Sequence, residues 1–131
     1  MMRIHHIGYL VKNMQKAEAG FVSLGFRKIE DSCHDTYRKV DIIFMEKDGY
    51  VIELVSPYEK DSIVSNLMKT HRNSPYHICY EVENIEEAII ELEEQGYCII
   101  NGLLPAPAIK DKRVCFLLSA KVGMVELVEK G

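Results

Sequence analysis

Two histidines and two glutamates in this chain combine residue types that bind divalent cations with matched places in an internal repeat. His6-Ile7-Gly8-Tyr9-Leu10-Val11-Lys12-Asn13 aligns without a gap on His77-Ile78-Cys79-Tyr80-Glu81-Val82-Glu83-Asn84; the His, Ile, Tyr, Val and Asn positions coincide. In the same register Ala17 falls on Ala88 and Gly25 on Gly96. A second echo closes each half: Val51-Ile52-Glu53-Leu54-Val55 resembles Met124-Val125-Glu126-Leu127-Val128. The repeat therefore pairs His6 with His77 and Glu53 with Glu126. Two imidazoles and two carboxylates suit a divalent metal such as Zn, Ni, Co, Mn or Mg. Four protein ligands in an octahedral arrangement leave two positions for water or a bidentate substrate. Such a metal polarises a carbonyl and stabilises an enediolate.

These side chains need elements that aim them. Each half reads as a strand, a helix and three strands. Ile4 to Val11 is a strand, Asn13 caps a helix, and Met14, Ala17, Phe21 and Leu24 follow helical spacing up to Gly25. Phe26 to Cys33, Val40 to Glu46 and Tyr50 to Val55 follow as strands, with Asp48-Gly49 as a hairpin turn. In the second half Tyr76 to Val82 is a strand and Asn84 a cap. Ile85, Ala88, Ile89 and Leu92 make one apolar helix face, and Glu86, Glu87, Glu91 and Glu94 a solvated one. Tyr97 to Ile100, Arg113 to Leu118 and Met124 to Val128 complete the set. The resulting organisation is a module over 1–56, a connector over 57–74 and a module over 75–131. Ser62 to Lys69 forms a short connector helix anchored by Ile63, Leu67 and Met68.

Alternate residues of a strand share a face. The neighbours two places from Glu53 are Val51 and Val55; those from Glu126 are Met124 and Val128. Each glutamate thus emerges from an apolar face, where a carboxylate costs several kcal/mol unless paired or coordinated. A single strand histidine is ordinarily structural, and a single strand glutamate ordinarily faces solvent. Duplication of the whole set is what favours coordination. His5 faces away from His6 and has no echo at Tyr76, so it reads as structural, and His34 and His71 as solvated.

The bulk properties exclude other classes. The formal net charge of -4 offers no basic surface for nucleic acid. No apolar run approaches the ~20 residues of a membrane helix, and the start of the chain lacks a signal-peptide pattern. Cys33, Cys79, Cys98 and Cys115 form no CxxC pair, and the last three lie in apolar runs. Reduced core thiols in a cytoplasmic protein are the expectation.

At these residues the chain resembles the vicinal oxygen chelate superfamily, which includes glyoxalase I, methylmalonyl-CoA epimerase, extradiol dioxygenases and bleomycin-resistance proteins. The motifs are His6-Ile7-Gly8-Tyr9-Leu10-Val11, Ile52-Glu53-Leu54-Val55, His77-Ile78-Cys79-Tyr80-Glu81-Val82 and Val125-Glu126-Leu127-Val128. The resemblance implies an α+β fold of paired βαβββ modules, a curved mixed sheet around a metal cleft. It also implies a homodimer, which agrees with the open sheet edges two half-barrels would expose. The second half looks most like methylmalonyl-CoA epimerase, through Tyr76 to Val82, Lys112 to Leu117 and Val125 to Glu129. Two places depart from that pattern. The epimerase's second catalytic glutamate falls near Thr36 or Tyr37, with Asp35 and Tyr37 as weak substitutes. The acyl-CoA loop reads Pro105-Ala106-Pro107-Ala108-Ile109-Lys110-Asp111.

The functional expectation is a metal-dependent isomerase of epimerase type acting on an acyl-CoA thioester. Glu126 removes a proton beside a metal-bound carbonyl. Lactoylglutathione lyase, acting on a thiol hemithioacetal, is the alternative. A further alternative is a non-catalytic, ligand-sequestering module of bleomycin-resistance type. An extradiol dioxygenase would use two histidines and one glutamate, so Glu53 argues against it.

Overall fold

The computed structural model describes residues 2–131. The elements run β1 (Arg3–Leu10), α1 (Met14–Ser23), β2 (Arg27–Lys28), β3 (Cys33–Asp35), β4 (Val40–Lys47), β5 (Tyr50–Pro57), α2 (Met68–His71), β6 (Ser74–Val82), α3 (Ile85–Glu94), β7 (Cys98–Ala106), β8 (Lys112–Ser119) and β9 (Gly123–Glu129). A 3-10 turn at Pro107–Ile109 precedes β8. Each half carries the βαβββ order that the sequence predicts. By its contacts the chain divides into two compact units. One is His6–Tyr76; the other is His77–Gly131 with the residues up to His5.

In the first unit the strand order is β2-β4-β5-β1, with β3 also on β4. β1 runs parallel to β5, with Ile7 opposite Ile52 and Gly8 opposite Glu53. β5 runs antiparallel to β4. Asn13 starts α1 by accepting the Lys16 N–H at 3.0 Å. Beyond the helix Gly25 takes φ +98, a left-handed backbone that glycine adopts without steric cost. The helix covers one sheet face, where Val11, Ile43, Met45, Ile52 and Leu54 pack with Tyr9, Met14, Ala17 and Phe21. No residue of α1 is itself buried. Leu24, expected on its apolar face, is 64% exposed because the helix has ended there.

The other unit repeats the pattern. β6 runs parallel to β9 with Cys79 opposite Glu126, and β9 and β8 are antiparallel, as are β8 and β7. Asn84 caps α3 by accepting the Glu87 N–H at 3.0 Å. Ile85, Ala88 and Ile89 are buried against Cys115, Leu117, Val125 and Leu127, with Leu92 partly buried beside them. The two caps are one repeated device, and both helices start where the sequence places them.

Three expectations need correction. The strand over Phe26 to Cys33 is interrupted: β2 ends at Lys28 and β3 begins at Cys33. Glu30-Asp31-Ser32 offers only exposed polar side chains there. The connector helix is confined to Met68–His71. Ser62 Oγ donates to the Arg38 carbonyl at 2.8 Å and accepts from the Val64 N–H at 3.4 Å, which holds the preceding stretch in turns. Its anchor is accordingly Val64, 7% exposed, while Ile63 is 48% exposed. No disulfide joins the four cysteines, but Cys98 is exposed at the start of β7 rather than in the core. Among the described residues, no helix is long and apolar enough to cross a membrane.

Candidate metal centre

Strand alternation carries His6 and Gly8 to one face of β1. Gly8 lies opposite Glu53 in the parallel ladder, so His6 and Glu53 share the face turned away from α1. His6 Nε2 approaches Glu53 Oε1 to 3.4 Å. Both residues are buried, at 1% and 7% exposure. Phe44 is the antiparallel partner of Glu53, and its ring stands edge-on to the His6 ring at 5.3 Å and 78°.

The second unit builds the same constellation. Cys79 takes the Gly8 place opposite Glu126. His77 Nε2 lies 3.0 Å from Glu126 Oε1, and these residues are 4% and 5% exposed. Phe116 is the antiparallel partner of Glu126, edge-on to His77 at 5.2 Å and 86°. The register explains the apolar surroundings: Val55 and Val128 flank the glutamates at 3% and 0% exposure. Ile52 and Leu54, or Val125 and Leu127, point the other way into the helix-covered cores.

Each unit thus brings one predicted histidine to one predicted glutamate. A carboxylate so deprived of water stays ionised only beside a compensating positive charge. A protonated imidazole supplies that charge, and so does a divalent cation with the imidazole neutral. Each pair, one imidazole nitrogen with one carboxylate oxygen, offers donor types that suit a divalent ion of intermediate hardness.

The remaining candidates stand apart from this chemistry. Asp35 is 2% exposed. Its Oδ1 accepts the Tyr37 and Arg38 N–H groups at 3.0 and 2.9 Å, and Oδ2 pairs with Arg38 Nη1 at 2.9 Å. It therefore locks the β3–β4 turn and is no ready base. Tyr37 is 64% exposed. His34 is exposed as expected but engaged, with Nδ1 2.6 Å from Asp41 and its ring stacked on Tyr58 at 4.3 Å. His71 is exposed, with Nδ1 2.8 Å from Thr70 Oγ1. Sequence reasoning overlooked Phe44 and Phe116. The signal was present: each is the aromatic residue of the penultimate strand of its half, in Ile42-Ile43-Phe44-Met45 and Val114-Cys115-Phe116-Leu117.

The likeness to known proteins extends along most of the chain. A family model described as the Glyoxalase/Bleomycin resistance protein/Dioxygenase superfamily matches residues 5–116. That stretch contains His6, Glu53 and His77; Glu126 lies beyond it. The mitochondrial methylmalonyl-CoA epimerase of Bos taurus is 27% identical over 128 residues, 97% of this chain and 72% of that protein. The human counterpart is 26% identical over 94 residues, 71% of this chain and 53% of that protein. The ethylmalonyl-CoA/methylmalonyl-CoA epimerase of Cereibacter sphaeroides is 27% identical over 116 residues, 88% of this chain and 87% of that protein. Among solved structures, a hypothetical protein from Bacillus halodurans superimposes with a TM-score of 0.86 at 28% identity, covering 99% of this chain and 95% of that one. The methylmalonyl-CoA epimerase of Mycobacterium tuberculosis gives 0.83 at 17% identity, with 98% and 87% covered, a likeness of fold. With its two βαβββ halves and the family match over most of its length, the chain belongs to the glyoxalase/bleomycin resistance protein/dioxygenase superfamily.

Proposed function

We propose that this protein is a divalent-metal-dependent epimerase in which His6, Glu53, His77 and Glu126 hold a single ion. The observation that carries the reading is the repetition of one buried His–Glu pair, each with its edge-on phenylalanine, in equivalent strands of the two units. When bound, the ion polarises a substrate carbonyl and makes the proton on the adjacent carbon more acidic. Glu126 accepts that proton at a carboxylate oxygen, and the electron pair it leaves behind delocalises onto the carbonyl oxygen. Phe116 and the apolar neighbours of Glu126 keep bulk water from quenching the charge.

Inversion at carbon requires a second group that returns a proton from the opposite side. Asp35 is occupied by Arg38, and Tyr37 stands in solvent. We assign the return to Glu53, the equivalent of Glu126 in the other unit, which enters the turnover as the protonated acid rather than as a ligand; Glu126 leaves it carrying the proton it took, and exchange with solvent resets both carboxyls. The substrate class is an acyl-CoA thioester with a substituted malonyl group, the chemistry in the names of the curated relatives. The working form is a homodimer in the cytoplasm, where reduced cysteines persist.

The engagement of Asp35 also favours a second reading, lactoylglutathione lyase. There a single carboxylate takes a proton from one carbon and returns it to its neighbour. The test is incubation of metal-loaded protein in deuterated water with methylmalonyl-CoA, ethylmalonyl-CoA and the glutathione–methylglyoxal hemithioacetal. Metal-dependent deuterium uptake at the α-carbon of the thioesters is expected. Uptake or rearrangement of the hemithioacetal alone selects the lyase. Tight binding of these compounds with no exchange would make the protein a sequestering module.

A further inference from the structure

The two His–Glu pairs are equivalent, yet the rows of residues beside them are not. In the unit of Glu126, moving two residues along the ladder from the Phe116–Glu126 pair reaches Leu118 opposite Met124. Cys98 of β7 lies opposite Leu118. In the unit of Glu53, the same step reaches Glu46 opposite Val51, with Arg27 of β2 opposite Glu46. Because side chains alternate, each row shares the face of its glutamate, about 7 Å along the strand.

Each row is also the open one. On the other side of the pairs lie Val114 and Val128, at 1% and 0% exposure, and Ile42 and Val55, at 6% and 3%. Leu118, by contrast, is 45% exposed, Cys98 is exposed and Met124 half-buried. The equivalent row in the other unit keeps the apolar, half-buried Val51 in the place of Met124 but is charged at its other two positions, with Arg27 Nε 3.0 Å from Glu46 Oε1. The two rows thus differ in chemistry where the His–Glu pairs beside them are alike, and the apolar one lies next to Glu126.

We propose that Leu118, Met124 and Cys98 form a specificity strip for the apolar substituent on the substrate's reacting carbon. The ion-paired Arg27–Glu46 row offers no such apolar surface. The inference rests on the metal-site reading above and adds which part of the substrate the unit of Glu126 takes. Full burial of a methylene is worth about fourfold in affinity and half burial about twofold. Selectivity for longer substituents therefore accrues at roughly two- to fourfold per carbon.

The test uses the full chain loaded with zinc and a series of straight-chain alkyl hydroxamates from acetyl to pentanoyl, which chelate the metal without turnover. Calorimetry on the wild type is expected to show affinity rising two- to fourfold per methylene. Leu118→Gln flattens that slope, Leu118→Met keeps it, and Arg27→Gln leaves it unchanged. A flat wild-type slope, a Leu118→Gln slope equal to wild type, or hydroxamates that fail to bind overturn the proposal. So does a change of sedimentation in Leu118→Gln, which would make the strip a contact between chains. Deuterium exchange into methylmalonyl-CoA is measured in parallel. Exchange without a slope sinks the strip alone; a slope without exchange sinks the epimerase reading and leaves the strip.

Discussion

Replacement of Glu126 by glutamine separates a metal ligand from a structural ion pair. The amide keeps the shape and one oxygen donor but removes a formal charge from a residue 5% exposed and 3.0 Å from His77 Nε2. In the metal-free protein the change is small. Removing one partner of a buried pair is costly when it strands the other charge, but an amide beside a neutral imidazole, which can accept from it, leaves no charge stranded. We expect the apo stability to move by less than ~1 kcal/mol. In the metal-loaded protein the lost charge is felt in full. Taking the ~1.5–3 kcal/mol of a hydrogen bond to a charged group as the scale, metal affinity falls roughly 30-fold. The metal-induced gain in stability then shrinks by about 2 kcal/mol, or roughly 6–10 °C in melting temperature for a chain of this size. Calorimetric melts of wild type and Glu126→Gln, each with chelator and with excess zinc, measure both terms. A variant that loses as much stability with chelator as with zinc would show that the glutamate holds the fold and not the ion.

Other outcomes follow from the same geometry. Gly25→Ala should cost about 1–2 kcal/mol, because φ is +98 and the new methyl meets Lys47 Cε at 3.2 Å. Gly20→Ala, inside α1 with nothing within 4 Å, should gain roughly 0.5–1 kcal/mol; urea melts read both. An aromatic disulfide reagent at neutral pH should label Cys98 first. It should spare Cys115 until unfolding, since burial pushes that thiol up to about 11; rapid labelling of Cys115 in the native state would contradict this. Hydrogen bonding by the Arg113 side chain, helped by its backbone N–H, holds the Glu129 carboxyl below its usual range. That contribution is present above the unfolded carboxylate value of about 4.3 and is lost as pH falls through the lower folded value. Glu129→Gln should flatten the fall of stability in that acid window, as acid-titrated denaturation curves would show.

The repeat made most of this legible. The His–Ile–x–Tyr–x–Val echo located both opening strands, and the asparagines seven residues after each histidine located both helix starts, now seen as caps on Lys16 and Glu87. The two glutamates were found because the repeat pairs them and apolar residues two places away, Val51 and Val55 or Met124 and Val128, marked an apolar face; Val55 and Val128 are buried. The phenylalanines escaped notice because an aromatic residue in a strand has the same sequence appearance whichever face it occupies. Only the pairing of Phe44 with Glu53 and of Phe116 with Glu126 places them against the histidines. Asp35 illustrates the opposite failure. A lone aspartate before a turn reads as a spare acid, but its partner is Arg38, three residues on, and such local pairing depends on turn geometry that composition does not reveal. The connector was misread for a similar reason: Ser62 back-bonding stops helical winding that the apolar spacing alone would have allowed.

If the two pairs serve one ion, metal stoichiometry and the ligand environment will show it. The protein is loaded with cobalt, dialysed, and measured by elemental analysis and X-ray absorption. One ion per chain with two imidazoles in its coordination sphere is expected, with loss of an imidazole signal in both His6→Ala and His77→Ala. Two ions per chain with one imidazole each, or an ion unaffected by either substitution, would contradict it.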